Sequence, residues 1–430
     1  MSKNHLLVIS ILPIVSLSPL FRDGFYTSSD GENHLIRIAR FSSLLAGGNL
    51  YPRWDPVLNH GRGYPLFNFT YPLPYYVSSL FHFTNLSVVD SLKATFVLFT
   101  GASVLFFYLW TRHLPATILF LFTPYRFVNL YVRAALGEVA FLGILPLCFL
   151  CIDKKNHLLL VISLSLLIFS HLQLSLIFIP IMFLYALVNR FEKGYIASLF
   201  LSLLVSSIFW LPATYLTGFT KYFSFHQFIP SQHLPTFRQL VYSPWGFGFS
   251  RPGLADDISF QLGLAAWAVL IISSLNISHL KSSRKLALVT VWSSLIFMST
   301  NLFGLWDWPI IQSVQFSWRL LMISLVFTPY VFSGLNTPKL FSVFVIALAI
   351  YANRNHIRTN LPQFVSTPDS FFITSQQTAT STPDEFMPQA FNASTSYLFS
   401  SSPVIIISQS LSLLAVVLYG IIFSNYYRHQ

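Results

Sequence analysis

The chain has 430 residues, of which 54% are hydrophobic, 17% aromatic and only 9% charged. Soluble domains carry roughly 25% charged residues, so this deficit excludes a single soluble core and points to repeated membrane spans. The formal charge of +11 is scattered between apolar stretches, with no basic run longer than two residues, which excludes a nucleic-acid groove.

Apolar segments predict spans near 5–21, 92–110, 115–131, 138–152, 157–171, 172–189, 195–216, 258–278, 285–304, 319–335, 338–352 and 403–424. The expected fold is therefore an all-α polytopic membrane protein of about twelve transmembrane helices. The first segment has a lysine before it and no small-residue cleavage site after it, so it reads as a retained span. Cys148 and Cys151 lie within one apolar segment and have no partner pair for a zinc site, so they read as ordinary span residues.

With the N-terminus in the cytoplasm, the inner connections carry Lys3, Arg112, Lys154, Lys155, Arg190, Lys193, Lys281, Arg284, Lys285, Lys339 and Arg428. That bias satisfies the positive-inside rule and places both termini inside. The outer side holds many arginines, few lysines and nearly all the acids. Arginine without lysine suits bidentate recognition of phosphate or carboxylate, and it suits loop ion pairs equally.

These assignments divide the chain into a transmembrane domain, 1–352, which includes a first outer loop (22–91) and another at 217–257. A Ser/Thr/Pro-rich outer segment follows (353–402), then a last transmembrane helix with a cytoplasmic tail (403–430). No internal repeat is visible, so the inverted-repeat pattern of many transporters is missing.

The first outer loop carries most of the candidate chemistry. Ser28, Ser29 and Asp30 are good helix N-caps, and Gly47–Gly48 is a good stop. The residues between them predict an amphipathic helix along the outer interface, with Asp30, His34 and Arg37 sharing a face at i, i+4 and i+7. Asp30 can equally be only the cap. Next, NLYPRWDPVLNHGRGYPLFNF combines glycines and prolines with aromatic anchors around Arg53 and Trp54. It reads either as a pinned interfacial loop or as the wall of a binding site. Arg126, Arg133 and Glu138 fall where two short spans meet outside, and His171 sits in a tight turn between spans. Charge at such places is costly unless it faces a partner or a cavity. QFSWRLL places Arg319 at the outer start of a span, and STPDEFMP places Asp384 and Glu385 in the last outer segment.

Taken together, several of these pieces resemble a family of bacterial polytopic membrane proteins known as "6-pyruvoyl-tetrahydropterin synthase-related". They are D-G-x-x-H-x-x-R from Asp30, L-Y-P-R-W-x-P from Leu50, G-x-G-Y-P-x-F-x-F from Gly61, Q-F-x-W-R from Gln315 and D-E-F-x-P from Asp384. Nothing in the chain resembles a soluble pterin synthase with zinc-binding histidines. The layout also resembles the GT-C glycosyltransferases, which take sugar from a polyprenyl-phosphate carrier and hold an acid in the first outer loop.

That resemblance implies Asp30 and Glu32 as catalytic acids. His34, Arg37, Arg53, Trp54, Arg126, Arg133, Glu138, His171, Arg319, Asp384 and Glu385 would then bind substrate. It implies a bacterial cytoplasmic (inner) membrane setting, a polyprenyl-phosphate-linked sugar and membrane lipid as partners, and no nucleic acid. Asp30 and Glu32 are also a candidate pair for a divalent cation, magnesium or manganese, although two carboxylates alone do not establish one. A transporter or flippase for a lipid-linked or anionic solute, and a noncatalytic assembly factor, stay open as alternatives. The apolar interiors of the predicted spans favour a site at the outer face over a path through the bilayer.

Overall fold

The structure, a computed structural model, describes residues 3–189, 191–222, 229–253, 256–312, 314–359, 364–365, 367–380, 384–390 and 394–428. Arg190, one of the cations assigned to the inner side, lies outside these residues. The chain is 70% helical and is a multi-pass membrane protein. The helices that matter below are α1 (Lys3–Ser16), α2 (Gly31–Ala46), α3 (Leu73–His82), α4 (Val88–Thr111), α5 (Leu114–Leu121), α6 (Leu136–Lys154), α7 (His157–Ser170), α8 (Leu172–Val188), α9 (Lys193–Val205), α10 (Ser207–Thr217), α11 (Leu264–Leu275), α12 (Ser282–Ser299), α13 (Leu321–Phe332), α14 (Lys339–Asn353) and α15 (Pro403–Arg428).

Among the described residues, three stretches are long and apolar enough to cross a bilayer alone: Val88–Thr111, Leu136–Lys154 and Thr395–Ile422. The pair α9 and α10 makes a fourth if counted as one span, bent by 63°. The other apolar helices run 10–17 residues, shorter than the roughly 20 residues that a bilayer core requires.

The segment expected as one span over 115–131 is not continuous. Helix α5 stops at Leu121, a four-residue helix Pro124–Phe127 follows, and Val128–Val132 forms a π turn. Pro124 explains the break, because its ring cannot continue the preceding helix and it donates no backbone hydrogen bond. All these residues are buried, and the broken segment ends at the outer cluster described below.

Helix α6 is the axis of the molecule. Of its most apolar window 83% is buried, against 22% for the last span, which therefore lies at the periphery facing lipid. Helix α4 packs along α6, and α7 follows on the other side. Trp110 of α4 stacks on Phe149 of α6 at 4.7 Å, and Phe107 of α4 on Phe120 of α5 at 4.2 Å. Cys148 and Cys151 are buried within α6 as free thiols. At the periphery α15 packs on α9 and α10.

The outer segment from 353 returns over the first loop. Phe364–Val365 pairs antiparallel with Phe25–Tyr26. The helix Asp369–Ile373 packs on α2, Arg40 donates to the Ile373 carbonyl at 3.1 Å, and Asp369 accepts from the Val88 N–H at 2.9 Å, at the start of α4. Phe386 stacks on Phe69 at 4.4 Å. Residues far apart in sequence thus form one layer over α2.

Candidate functional site

The site grows from the start of α2. Asp30 is its N-cap residue, yet its side chain makes no capping hydrogen bond. Its backbone is held from outside instead: the Ser29 and Asp30 N–H groups donate to the Val132 and Arg133 carbonyls at 3.1 and 3.0 Å. Ala134, at φ 51°, reverses the chain just after Arg133 and presents those carbonyls. The Asp30 carboxylate is half-buried at a helix N-terminus, where the aligned peptide dipoles favour negative charge. Its field reaches Arg37, Arg133, Tyr71, Tyr75 and Glu385.

Along the same face of α2, His34 Nδ1 lies 2.8 Å from the Tyr75 hydroxyl, and Arg37 Nη1 donates to that hydroxyl at 3.2 Å. Because Arg37 occupies the oxygen as acceptor, the Tyr75 proton is available to His34. Burial, and then the neighbouring Arg37 and Arg133 charges, hold the His34 imidazole well below its ordinary pKa. His34 is therefore a neutral ring. Arg37 Nε donates to the Ala379 carbonyl at 2.7 Å, which ties the helix to the outer segment.

Beside Asp30 stands a buried charge hub on Glu138, at the start of α6. Arg133 Nη1 donates to its Oε1 at 2.8 Å, and the Tyr125 hydroxyl donates to Oε2 at 3.0 Å. Arg319 Nε approaches Oε1 at 3.4 Å as an ion pair without hydrogen-bond alignment. Arg133 also donates to Asn129 Oδ1 at 2.9 Å and lies over the Trp318 ring at 4.7 Å. Arg319 donates to Gln315 Oε1 at 2.9 Å and to the Val314 carbonyl at 2.8 Å. A buried carboxylate shared by two guanidiniums and a phenol is satisfied on every side, as its burial requires.

Tyr71 joins the two groups. Its ring stacks on Tyr75 at 5.8 Å and on His171 at 5.6 Å. Gly137 makes this placement possible: a Cβ there would lie 2.4 Å from Tyr71 Cζ. His171 itself caps α8, its Nδ1 accepting from the Leu174 N–H at 3.3 Å.

Glu385 reaches the cluster from the outer segment. The neighbouring Phe386 N–H donates to the Tyr64 hydroxyl at 2.8 Å, which fixes the turn. Burial pushes the Glu385 carboxyl up to about 7; Arg37 and Arg319 oppose the rise and Asp30 adds to it. Asp384 occupies the same turn at φ 61°.

The structure thus gathers Asp30, His34, Arg37, Arg133, Glu138, His171, Arg319 and Glu385. It does not bring Glu32, Arg126, Arg53 or Trp54 to that cluster. Glu32 is exposed on the first turn of α2, because residues two apart on a helix point to nearly opposite sides. Arg126 turns into the helices instead, donating to Ser103 Oγ at 3.0 Å and to the Phe120 carbonyl at 3.3 Å. Arg53 and Trp54 line a separate cavity. Tyr71, Tyr75, Tyr125 and Trp318 were not singled out from the sequence as site residues. Only the clustering of Tyr71, Tyr75 and Tyr76 after two prolines signals them there. Among the described residues no cluster of three or more His, Cys, Asp or Glu could hold a metal ion.

No family model matches the chain. A curated relative, an uncharacterized protein of Lactococcus lactis subsp. cremoris (strain MG1363), is 24% identical over 280 residues, 60% of this chain and 44% of that protein. The chain thus spans less than half the length of that relative. Among solved structures, the cryo-EM structure of the arabinofuranosyltransferase AftD from Mycobacteria superposes with a TM-score of 0.53 at 11% identity, over 84% of this chain and 27% of that one. The chain is similar in fold to part of that arabinofuranosyltransferase.

Proposed function

We propose that this protein is a membrane glycosyltransferase of GT-C architecture. It transfers a sugar from a polyprenyl-phosphate donor to an acceptor at the outer face of the bacterial cytoplasmic membrane. The observation that carries this reading is the convergence of Asp30 with Arg37, Arg133, Arg319 and Glu385 at one end of the helices. The fold likeness supports it.

In this mechanism Asp30 accepts the proton of an acceptor hydroxyl as that oxygen attacks the anomeric carbon. The bond from that carbon to the phosphate oxygen breaks, and the negative charge passes to the departing lipid phosphate. Arg37 and Arg133 stabilise that charge from fixed positions, which costs no reorganisation during the reaction. Arg37, Arg133 and Arg319 face the Asp30 and Glu138 carboxyls, while burial pushes the Glu385 carboxyl up to about 7, so the cluster offers an excess of guanidinium groups for a phosphate. His34, neutral and hydrogen-bonded to Tyr75, orients Arg37. Glu385 takes the place expected for Glu32 as the second carboxyl. Tyr71 and His171 form an aromatic wall.

The test is transfer by the purified full chain in lipid nanodiscs, supplied with a panel of polyprenyl-phosphate-linked sugars. Release of polyprenyl phosphate is followed with and without added acceptor. Turnover by the native chain and none by Asp30→Asn is the expected outcome. Undiminished turnover by a folded Asp30→Asn would remove Asp30 from the mechanism.

A further inference from the structure

A second cavity, of about 460 Å³, lies at the outer end of the last span. Asn49, Tyr51, Arg53 and Trp54 form one side, and Ser400 and Gln409 the other. Its volume falls within the range of small-molecule sites. Among the described residues no acidic side chain lines it.

Arg53 is the unusual member. It is only 3% exposed, and no carboxylate pairs with it among the described residues. Two of its nitrogens donate to neutral acceptors, Nη1 to Asn68 Oδ1 at 3.0 Å and Nη2 to the Ile208 carbonyl at 2.8 Å. Its guanidinium lies over the Tyr51 ring at 4.5 Å. Two polar groups are left over in the same place: Arg53 Nε and the Tyr51 hydroxyl are buried with no hydrogen-bond partner among the described residues. Burial holds the Arg53 guanidinium below its ordinary pKa. A buried cation without a counter-charge is expensive, and an anion in the adjoining cavity would offset that cost.

The surroundings indicate where such an anion comes from. The far wall belongs to the span that is least buried in the protein and faces lipid. Leu50, at the rim, is 80% exposed, and Tyr51 and Trp54 supply aromatic surface of the kind found at membrane interfaces. Gly63 fixes the Trp54 indole, since a Cβ at that position would fall 2.2 Å from its ring, and Trp54 stacks on Phe399. Phe69 touches both Phe399 and Phe386, so a wall of rings stands between this cavity and Glu385. The common anion at this depth is phosphate.

We propose that the Arg53 cavity is a phosphate-binding site for the headgroup of a membrane lipid, separate from the Asp30 cluster. Arg53 supplies the charge, Arg53 Nε and the Tyr51 hydroxyl donate to phosphate oxygens, and Asn49, Ser400 and Gln409 meet the polar remainder of the headgroup. This assignment does not depend on the transferase reading, and its test reads binding alone.

The full chain is purified and titrated with phosphatidylglycerol in mixed micelles, and with inorganic phosphate in lipid-free micelles. Thermal stabilisation and native mass spectrometry report binding. The expected result is retained phosphatidylglycerol and a saturable rise in Tm, with apparent affinity at least tenfold weaker in Arg53→Gln and several-fold weaker in Tyr51→Phe. Tyr51→Phe removes one oxygen only, so it answers the question if Arg53→Gln does not fold. Stabilisation by inorganic phosphate alone, lost in the same variants, assigns the site to free phosphate and overturns the lipid headgroup. Equal binding of both probes by the native chain and the two variants overturns the site altogether.

Discussion

Arg133 and Arg53 look alike in the sequence, each an arginine among aromatics in a region expected outside the bilayer, and the structure gives them opposite circumstances. Arg133 is buried against Glu138, shares that carboxylate with Arg319, and rests on Trp318. Arg53 is buried just as deeply, with carbonyl and amide acceptors but no carboxylate. Internal compensation makes Arg133 part of a rigid, charged wall for whatever lies beside Asp30. Its absence makes Arg53 a receptor for something the protein does not supply. Neutralised hubs build geometry, whereas uncompensated buried charges mark where a ligand is to be sought.

The comparison can be broken most sharply at the cluster. Asp30→Asn, which preserves shape and removes the base, is expected to lower transfer by about 10²- to 10⁴-fold, the usual contribution of a positioned general base. Steady-state turnover in nanodiscs checks it. Glu138→Ala leaves two guanidiniums buried without their carboxylate and should destabilise the protein by roughly 3–5 kcal/mol. Chemical or thermal unfolding in detergent would reveal it, and Arg53→Gln in the same assay should cost clearly less. Gly137→Ala forces the Tyr71 ring away from α6, at a cost of roughly 1–3 kcal/mol for overpacking, with a rise in donor KM as the functional readout.

A smaller effect concerns pH. The folded-state pKa of Glu385 is raised to about 7 from an unfolded value near 4.5. The folded chain therefore holds a proton that the unfolded chain has released, and stability falls as pH rises from about 4.5 through about 7. Glu385→Gln should flatten that part of the stability profile. It should also remove a limb near neutrality from the pH dependence of turnover. A profile identical to that of the native chain would place Glu385 outside the titrating machinery.

What the sequence made legible follows from locality. Asp30, His34 and Arg37 can be read at helical spacing, with caps and a glycine stop around them, because every signal lies within one short helix and its two ends. The same helical arithmetic places Glu32 on the opposite side, so its separation from Asp30 was available in the sequence too. Arg126 and Arg133 are two turns apart and look equivalent there. The Pro124 break and the π turn between them send one into the helices and the other to Glu138. Tyr75 against His34, Trp318 under Arg133 and Glu385 beside Asp30 depend on contacts across tens to hundreds of residues, which periodicity does not encode. The helix lengths were harder still. The apolar runs mark where helices lie, but prolines and bends decide how far each continues, as the 63° corner between α9 and α10 shows.

The long reach of the outer segment bears on the order in which the protein matures. Arg37 finds its acceptor at Ala379, 342 positions later, and Tyr64 meets Phe386 at a separation of 322. Closing such loops is entropically slow, and chains are made from the N-terminus onward. Most of the apolar helices have been synthesised before the strip that covers α2 leaves the ribosome. The charged end of the bundle therefore stays open through most of synthesis, and its completion is a late checkpoint. A chain arrested before residue 353 would carry nearly all its hydrophobic helices and none of the strip that covers α2, a species that limited proteolysis of nascent chains would single out.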